Sequence, residues 1–343
     1  MPSPLADIGV TLPVLAAPMA GDPGTPALVV AAARVGSLGF LAGGYKTADA
    51  LLANIATVRS ATATFGVNLF APNPLPVDVN EFVRYARSVQ VEADRYGIEL
   101  AAARPIEDDD EWRVKVDLLI ADPVPIVSFT FGIPEPTVVS ALRATGTLVV
   151  QTVTSVDEAR AAAESGADVL AVQAAAAGGH SGTLTPRERP PSVALTDLVA
   201  AVRGTVSLPV VAAGGVATAD DVSAAVRAGA AAVMVGTALL RTDEAGTTAV
   251  HRAALVDPAR QTTVVTRAFT GRFARGLRNE FTDRYDGLAP AGYPAIHHLT
   301  TPLRKAAAAA GDAERLHLWA GTGYRSAADG AAGTVLVRLA ERL

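Results

Sequence analysis

The chain has 343 residues, of which 50% are hydrophobic, 18% charged and 5% aromatic, with a formal net charge of −5 and no cysteine. That length suits an α/β barrel carrying an insertion, with a core built from Ala, Val and Leu. The composition excludes disulfides, thiolate catalysis and Cys-ligated metals, and the acidic balance excludes nucleic acid as a main partner, since phosphate binding needs a concentrated basic surface.

The opening residues, MPSPLADIGV, lack the basic segment and apolar run of a secretory leader. No stretch reaches the ~18 uninterrupted apolar residues of a membrane span. The expectation is a cytoplasmic protein with no membrane partner.

Eight short apolar runs follow one another: Val14 to Ala17, Ser37 to Ala42, Phe65 to Phe70, Ile126 to Phe131, Leu148 to Val153, Val169 to Val172, Pro209 to Ala213 and Ala232 to Val235. They are unbroken rather than alternating, as in strands buried on both faces. Amphipathic stretches lie between them. Thr154 to Gly166 has a Thr or Ser cap, acids in its first turn and a terminal glycine, and Ala217 to Gly229 repeats the design. Alternating strand and helix predicts parallel units closing into a (β/α)₈ TIM barrel, with a doubly wound open sheet as the rival.

Two segments exceed the minimal barrel. Ala71 to Asp117 is a long excursion after the third strand, and its acidic run Glu107 to Glu111 reads as a solvated surface. Residues from about Glu244 to Ala310 read as helical, with a loop at Gly287 to His298. The expected division is a barrel of residues 1–243 and 311–343, with 244–310 as an insertion over the barrel mouth.

Barrel sites form at the C-terminal ends of the strands, so the residues just past each run are the ones to inspect. Gly214 and Gly215 follow the seventh run, and Gly236 and Thr237 the eighth. Barrels commonly bind phosphate there, because glycine lets a ligand approach the backbone. The plainer reading is a pair of tight turns. No G-x-G-x-x-G or P-loop follows a strand, so a phosphate ligand here is better a mononucleotide such as FMN than a dinucleotide.

The sixth run leads into QAAAAGGHSG, residues 173–182, where nearly everything is small except Gln173 and His180. Gln173 offers a donor and an acceptor. His180 follows Gly178 and Gly179 at a strand end, which presents an imidazole that titrates near neutral pH. Asn68 ends the third run, and Pro18 and Met19 end the first. Asn68 reads equally as a turn former and Met19 as core filler. His251, His297, His298 and His317 show no metal-ligand spacing, and Ser181 lacks a nucleophile elbow.

The motifs LAAPM (15–19), GFLAGGY (39–45), FGVNLF (65–70), VSFTFGIP (127–134), AGGHSG (177–182), AAGGV (212–216), VGTALL (235–240) and WAGTGYRSA (319–327) occur in this order. The series resembles the nitronate monooxygenase family, formerly 2-nitropropane dioxygenases, over essentially the whole chain to Leu240 and again from Trp319. The resemblance implies a TIM barrel with FMN and an insertion. It implies FMN contacts from Pro18, Met19, Asn68, Gln173, Gly178, Gly179, Gly214, Gly215, Met234, Gly236, Thr237 and Gly321, and makes His180 the catalytic histidine. The expected reaction is oxidation of a nitronate or nitroalkane by O₂ to a carbonyl compound and nitrite. His180 would be the base for neutral nitroalkanes, or would orient the anion if only nitronates are used.

Two departures stand out. The family often reads Q-G-x-E-A-G-G-H-R-G, whereas this chain has Ala176 in place of the Glu and Ser181 in place of the Arg. No tyrosine and lysine set aligns between Leu240 and Trp319, which leaves Tyr45 and Tyr324 as candidate substrate contacts. Two alternatives stay open: an FMN-dependent NAD(P)H reductase, acting on an enoyl-acyl carrier or a quinone, which shares these motifs, and a flavin-free phosphate-binding barrel.

Overall fold

The computed structural model describes residues 4–343. Met1, Pro2 and Ser3, on which the leader reading partly rests, lie outside the described residues. Among the described residues, eleven strands occur in chain order: β1 Val14–Ala16, β2 Phe40–Ala42, β3 Gly66–Phe70, β4 Ile126–Thr130, β5 Leu148–Val153, β6 Val169–Gln173, β7 Gly179–His180, β8 Val210–Ala213, β9 Ala232–Val235, β10 Thr263–Thr266 and β11 Ala274–Leu277. Eight of them form one parallel sheet in the order β1-β9-β8-β6-β5-β4-β3-β2. The two ends meet, because Ala16 bridges Gly39 and its N–H donates to the Leu38 carbonyl at 2.9 Å. The sheet is therefore a barrel, and each of the eight apolar runs supplies one of its strands. The open-sheet rival is excluded.

Burial on both faces explains why those runs are unbroken. Leu15, Phe40, Ile126, Val150, Val169, Val211 and Met234 fill the barrel, and Leu5 joins them from the helix Pro4–Asp7. Outward-facing residues such as Val14, Val172, Val210 and Val233 pack against the surrounding helices. The caps predicted from sequence are present. Ser155 Oγ accepts from the Glu158 N–H to start Val156–Glu164, and Thr218 with Asp221 forms a reciprocal capping box before Ala219–Arg227. Each such cap stabilises by about 1 kcal/mol.

The segment 244–310 contains helices at Ala249–Val256, Glu280–Tyr285 and Ala295–Ala309, but also the strands β10 and β11. Those strands pair antiparallel, and β11 pairs in turn with β7, placing Ala274 opposite His180. Sequence periodicity had only helix to offer here, because short strands such as ARGL show no apolar run. The excursion after β3 folds with this segment. Its helix Val79–Ala93 buries Phe82, Tyr85 and Val89 against Phe269, Phe281, Ile296 and Leu303. Tyr85 donates to the Ala268 carbonyl at 2.5 Å, and the buried carboxylate of Glu92 pairs with Arg284 and Arg315. No helix of the described residues is long and apolar enough to cross a membrane.

Candidate active site

The C-terminal ends of β6, β8 and β9 gather the glycines. A Cβ on Gly321 would lie 2.7 Å from the Ala176 carbonyl, 3.0 Å from the Gly178 N–H nitrogen and 3.3 Å from Thr237 Oγ1. The Gly321 N–H donates to Thr237 Oγ1 at 2.9 Å, and the Thr322 N–H to the Ala176 carbonyl at 3.0 Å. Gly214 has φ +109°, and a Cβ there would stand 2.8 Å from the Ala174 carbonyl. Gly178, Gly214, Gly215, Thr237 and Gly321 thus share a small space where main chains approach too closely for side chains. Gly236 faces Met19, whose sulfur lies 3.5 Å from where its Cβ would be. Met234 is nearly buried inside the barrel beside Leu15. A cradle walled by main chain rather than side chains has the features that suit a phosphate-bearing mononucleotide.

A polar row crosses the top of the barrel. The amide nitrogen of buried Asn68 donates to Ser128 Oγ at 2.9 Å and Thr130 Oγ1 at 3.0 Å, and Thr130 meets Thr152 at 3.3 Å. Gln173 Nε2 donates to the His180 carbonyl at 3.1 Å, while its Oε1 accepts from the Gly182 N–H at 2.7 Å. Gln173 therefore holds the backbone on both sides of Ser181 in place, in addition to any part in ligand binding.

His180 stands between the barrel and its cover. Its ring centroid is 5.8 Å from Phe131, 5.7 Å from Tyr293 and 5.5 Å from Trp319. Its Nε2 lies 2.9 Å from Thr270 Oγ1. That hydroxyl has one proton, which it donates to the Arg272 carbonyl at 3.0 Å. Nε2 of His180 is then the donor to Thr270, which leaves Nδ1 unprotonated and able to accept a proton. Burial, followed by the nearby charges of Arg272 and Arg304, lowers the His180 pKa to about 3. The imidazole is neutral at physiological pH.

The opposite side of the mouth is aromatic and cationic. Tyr45 stacks on His297 with centroids 4.2 Å apart and planes 4° from parallel, and its hydroxyl meets that of Tyr293 at 3.3 Å. Phe70 packs on Phe131 at 4.5 Å, and the Arg272 guanidinium lies 4.0 Å over the other ring of that pair. Arg304 bonds His297, Thr300 and Thr301, and approaches His317 at 3.3 Å. Arg272 and Arg304 are both buried, and neither has a carboxylate within ion-pair distance among the described residues. Burial lowers each guanidinium to about 10, so both stay charged. Arg272 donates through Nε to the Ser181 carbonyl and through Nη2 to the Thr183 carbonyl, but its buried Nη1 has no partner. An unsatisfied buried charged donor costs more than the about 1–3 kcal/mol of a neutral one.

The acidic run is not merely solvated. Asp108 pairs with His298 at 2.7 Å, and Asp110 accepts from the Tyr45 N–H at 2.9 Å while pairing with buried Lys115 at 2.8 Å. Glu111 accepts from the Ala48 N–H at 2.7 Å. Tyr45, Asp110 and Glu111 all take left-handed φ, at 65°, 57° and 53°. The run therefore pins the loop that carries Tyr45 into the mouth. A charge count along the chain cannot see this, because the partners Tyr45, Ala48 and His298 are distant in sequence.

Tyr324 is not at the mouth. Its ring is buried beside Leu240 and Leu255, and its hydroxyl donates to the Arg260 carbonyl at 2.5 Å. Sequence reasoning missed Arg272, Arg304, Tyr293 and Trp319 as mouth residues. The only available signal was an arginine amid the apolar AFTGRFARGL stretch. No group of three or more His, Asp and Glu among the described residues could hold a metal ion.

The comparisons agree with this geometry. The nitronate monooxygenase family model matches residues 2–341. A probable nitronate monooxygenase from Staphylococcus aureus strain Newman is 34% identical over 98% of this chain and 95% of its own length. The crystal structure of a nitroalkane oxidase from Streptomyces ansochromogenes is 44% identical, covers 99% of this chain and 98% of its own, and superposes with a TM-score of 0.92. FabK from Thermotoga maritima is 25% identical at a TM-score of 0.76, over 100% of this chain and 96% of its own. The chain is an oxidoreductase that belongs to the nitronate monooxygenase family.

Proposed function

We propose that the protein catalyses FMN-dependent oxidation of nitronates and nitroalkanes by O₂, giving a carbonyl compound and nitrite. The observation that carries this reading is His180: an imidazole kept neutral, with Nδ1 free to accept, beside two cations that lack carboxylate partners. In this reading FMN is held by Pro18, Met19, Asn68, Gln173, Gly178, Gly179, Gly214, Gly215, Met234, Gly236, Thr237 and Gly321, its phosphate on the glycine side. When bound, FMN supplies the redox chemistry that links the substrate to O₂.

The protein's own part is placement and proton handling. For a neutral nitroalkane, Nδ1 of His180 takes the α-proton, and Thr270 keeps the ring oriented. A nitronate has no such proton to lose, so His180 then only orients it. Phe131, Tyr293 and Trp319 exclude water around the reacting carbon. Residues 1–243 and 311–343 form the cofactor-binding barrel in this proposal, and 244–310 its cover. The enzyme acts in the cytoplasm on small anions and O₂, with no nucleic acid or membrane partner.

The test is direct. Purified protein should absorb near ~450 nm through bound flavin and release nitrite from propyl-3-nitronate in air. A colourless protein, or no nitrite, sinks the proposal. Rapid bleaching by NADH under anaerobic conditions, without nitrite production, assigns the chain instead to the FMN-dependent reductases.

A further inference from the structure

We infer that Arg272 is the anion anchor of the substrate site, binding a planar oxyanion such as the paired oxygens of a nitronate through its Nη1. This rests on the function proposed above and names the residue that selects its substrate class.

The guanidinium is held on three sides. Its Nε reaches the Ser181 carbonyl at 3.3 Å, its Nη2 reaches the Thr183 carbonyl, and one face lies 4.0 Å over the Phe131 ring. Only Nη1 is left, and it is buried without any partner. Its neighbours are those of the catalytic histidine. Phe131 touches His180 edge-on at 5.8 Å, and Ser181 follows His180 directly. Arg272 itself is 1% exposed, so bulk water does not screen its charge. Within the planar guanidinium, one N–H of unpartnered Nη1 runs parallel to the second N–H of Nη2, and this rigid, desolvated pair matches two coplanar oxygens better than a lysine ammonium could. The rings of Tyr45, Phe70, Tyr293 and Trp319 then surround the hydrocarbon part of the substrate, which sets a preference for a short alkyl or aryl chain on the anion.

A purely architectural arginine is the competing explanation, since the same side chain ties residues 181 and 183 to the cover. The two differ in what they predict for anion binding. Nitrate, a planar trigonal oxyanion that cannot react, serves as the probe. Its binding is followed by calorimetry and by its competition with propyl-3-nitronate. The wild-type protein should bind nitrate competitively. Arg272→Met should raise both the nitrate Kd and the nitronate KM by at least about 10-fold, with flavin content unchanged. Arg272→Lys keeps the charge and much of the packing, so it decides the matter if the methionine variant does not fold. It should raise the nitrate Kd by at least about 3-fold, because a lysine cannot present the planar fork. An unchanged nitrate Kd in a folded variant, even one with lower kcat or melting temperature, overturns the assignment. So does a wild-type protein that binds no nitrate. Arg272-dependent nitrate binding without nitrite production supports the anchor while removing the proposed oxidation, so the two failures can be told apart.

Discussion

The two sides of the barrel mouth are built by opposite means. At the ends of β6, β8 and β9 the walls are backbone, where Gly178, Gly214 and Gly321 let main chains approach within distances that no Cβ tolerates. Opposite them the walls are large side chains: His180, Phe131 and Tyr293 meet ring to ring, buried Arg272 lies over Phe131, and His297 joins Tyr45 to buried Arg304. The first side has the features of a phosphate cradle and the second those of a water-excluding, cationic reaction space. The difference teaches that an open backbone wall is made locally by leaving out side chains, whereas a wall of packed rings and cations needs them placed from several distant segments.

The largest expected effect breaks the glycine side. Gly321→Val puts a branched side chain against the Ala176 carbonyl, 2.7 Å from its Cβ position, and against backbone that cannot move aside cheaply. The flavin-to-protein ratio should fall more than about 10-fold, with stability lowered by about 1–3 kcal/mol. Stoichiometric flavin in the purified variant would remove this side as the cofactor site.

His180→Asn tests the other side. Flavin should stay bound, and turnover of a neutral nitroalkane should fall roughly 10²-fold or more, with a smaller loss on the preformed nitronate. Equal turnover on the neutral substrate removes Nδ1 as the base.

Acid sharpens the contrast, because the glycine side carries no titratable side chain while buried histidines lie at and around the other. Burial holds His180 at about 3 and His251 at about 4, and lowers His297 and His317 as well. All four are neutral in both folded and unfolded chains above about 6.5, so their stability contribution is intact there. As pH falls below that value the unfolded chain takes up protons that the folded chain refuses. Stability is then lost by roughly 1.4 kcal/mol per pH unit for each histidine, down to its folded pKa. Urea unfolding at pH 7, 6 and 5 should show the midpoint dropping, and a midpoint that holds or rises contradicts the buried neutral histidines.

The smallest effect marks the boundary between the halves. Tyr324 sits behind the late glycines with its hydroxyl on the Arg260 carbonyl. Tyr324→Phe should cost about 1 kcal/mol in thermal unfolding and leave the nitronate KM within about 2-fold. A large rise in KM would return Tyr324 to the substrate site.

The barrel was legible because its signals are local. An unbroken run such as Ile126 to Phe131 reports burial on both faces, and ATADDVSAAVRAG carries its own cap and stop, as found at Thr218 and Asp221. The glycines were legible for the same reason, since a missing Cβ matters at its own position. His180 was found from its flanking glycines, but its protonation was not, because Thr270 lies 90 residues away. The segment 244–310 hid its two strands, whose partners are each other and β7 rather than an apolar pattern.

The amino-acid sequence by itself determined the eight strands, the glycine positions at their ends and the place of His180. Only the tertiary structure decided what faces that histidine. Long-range packing brings Tyr45, Phe131, Arg272, Tyr293, Arg304 and Trp319 together from five separate stretches of chain. It also puts the acidic run to work as a clamp on the Tyr45 loop. Local patterns follow from the conformational limits of single residues, whereas the charge state and partners of a buried side chain are set by whichever segments fold against it.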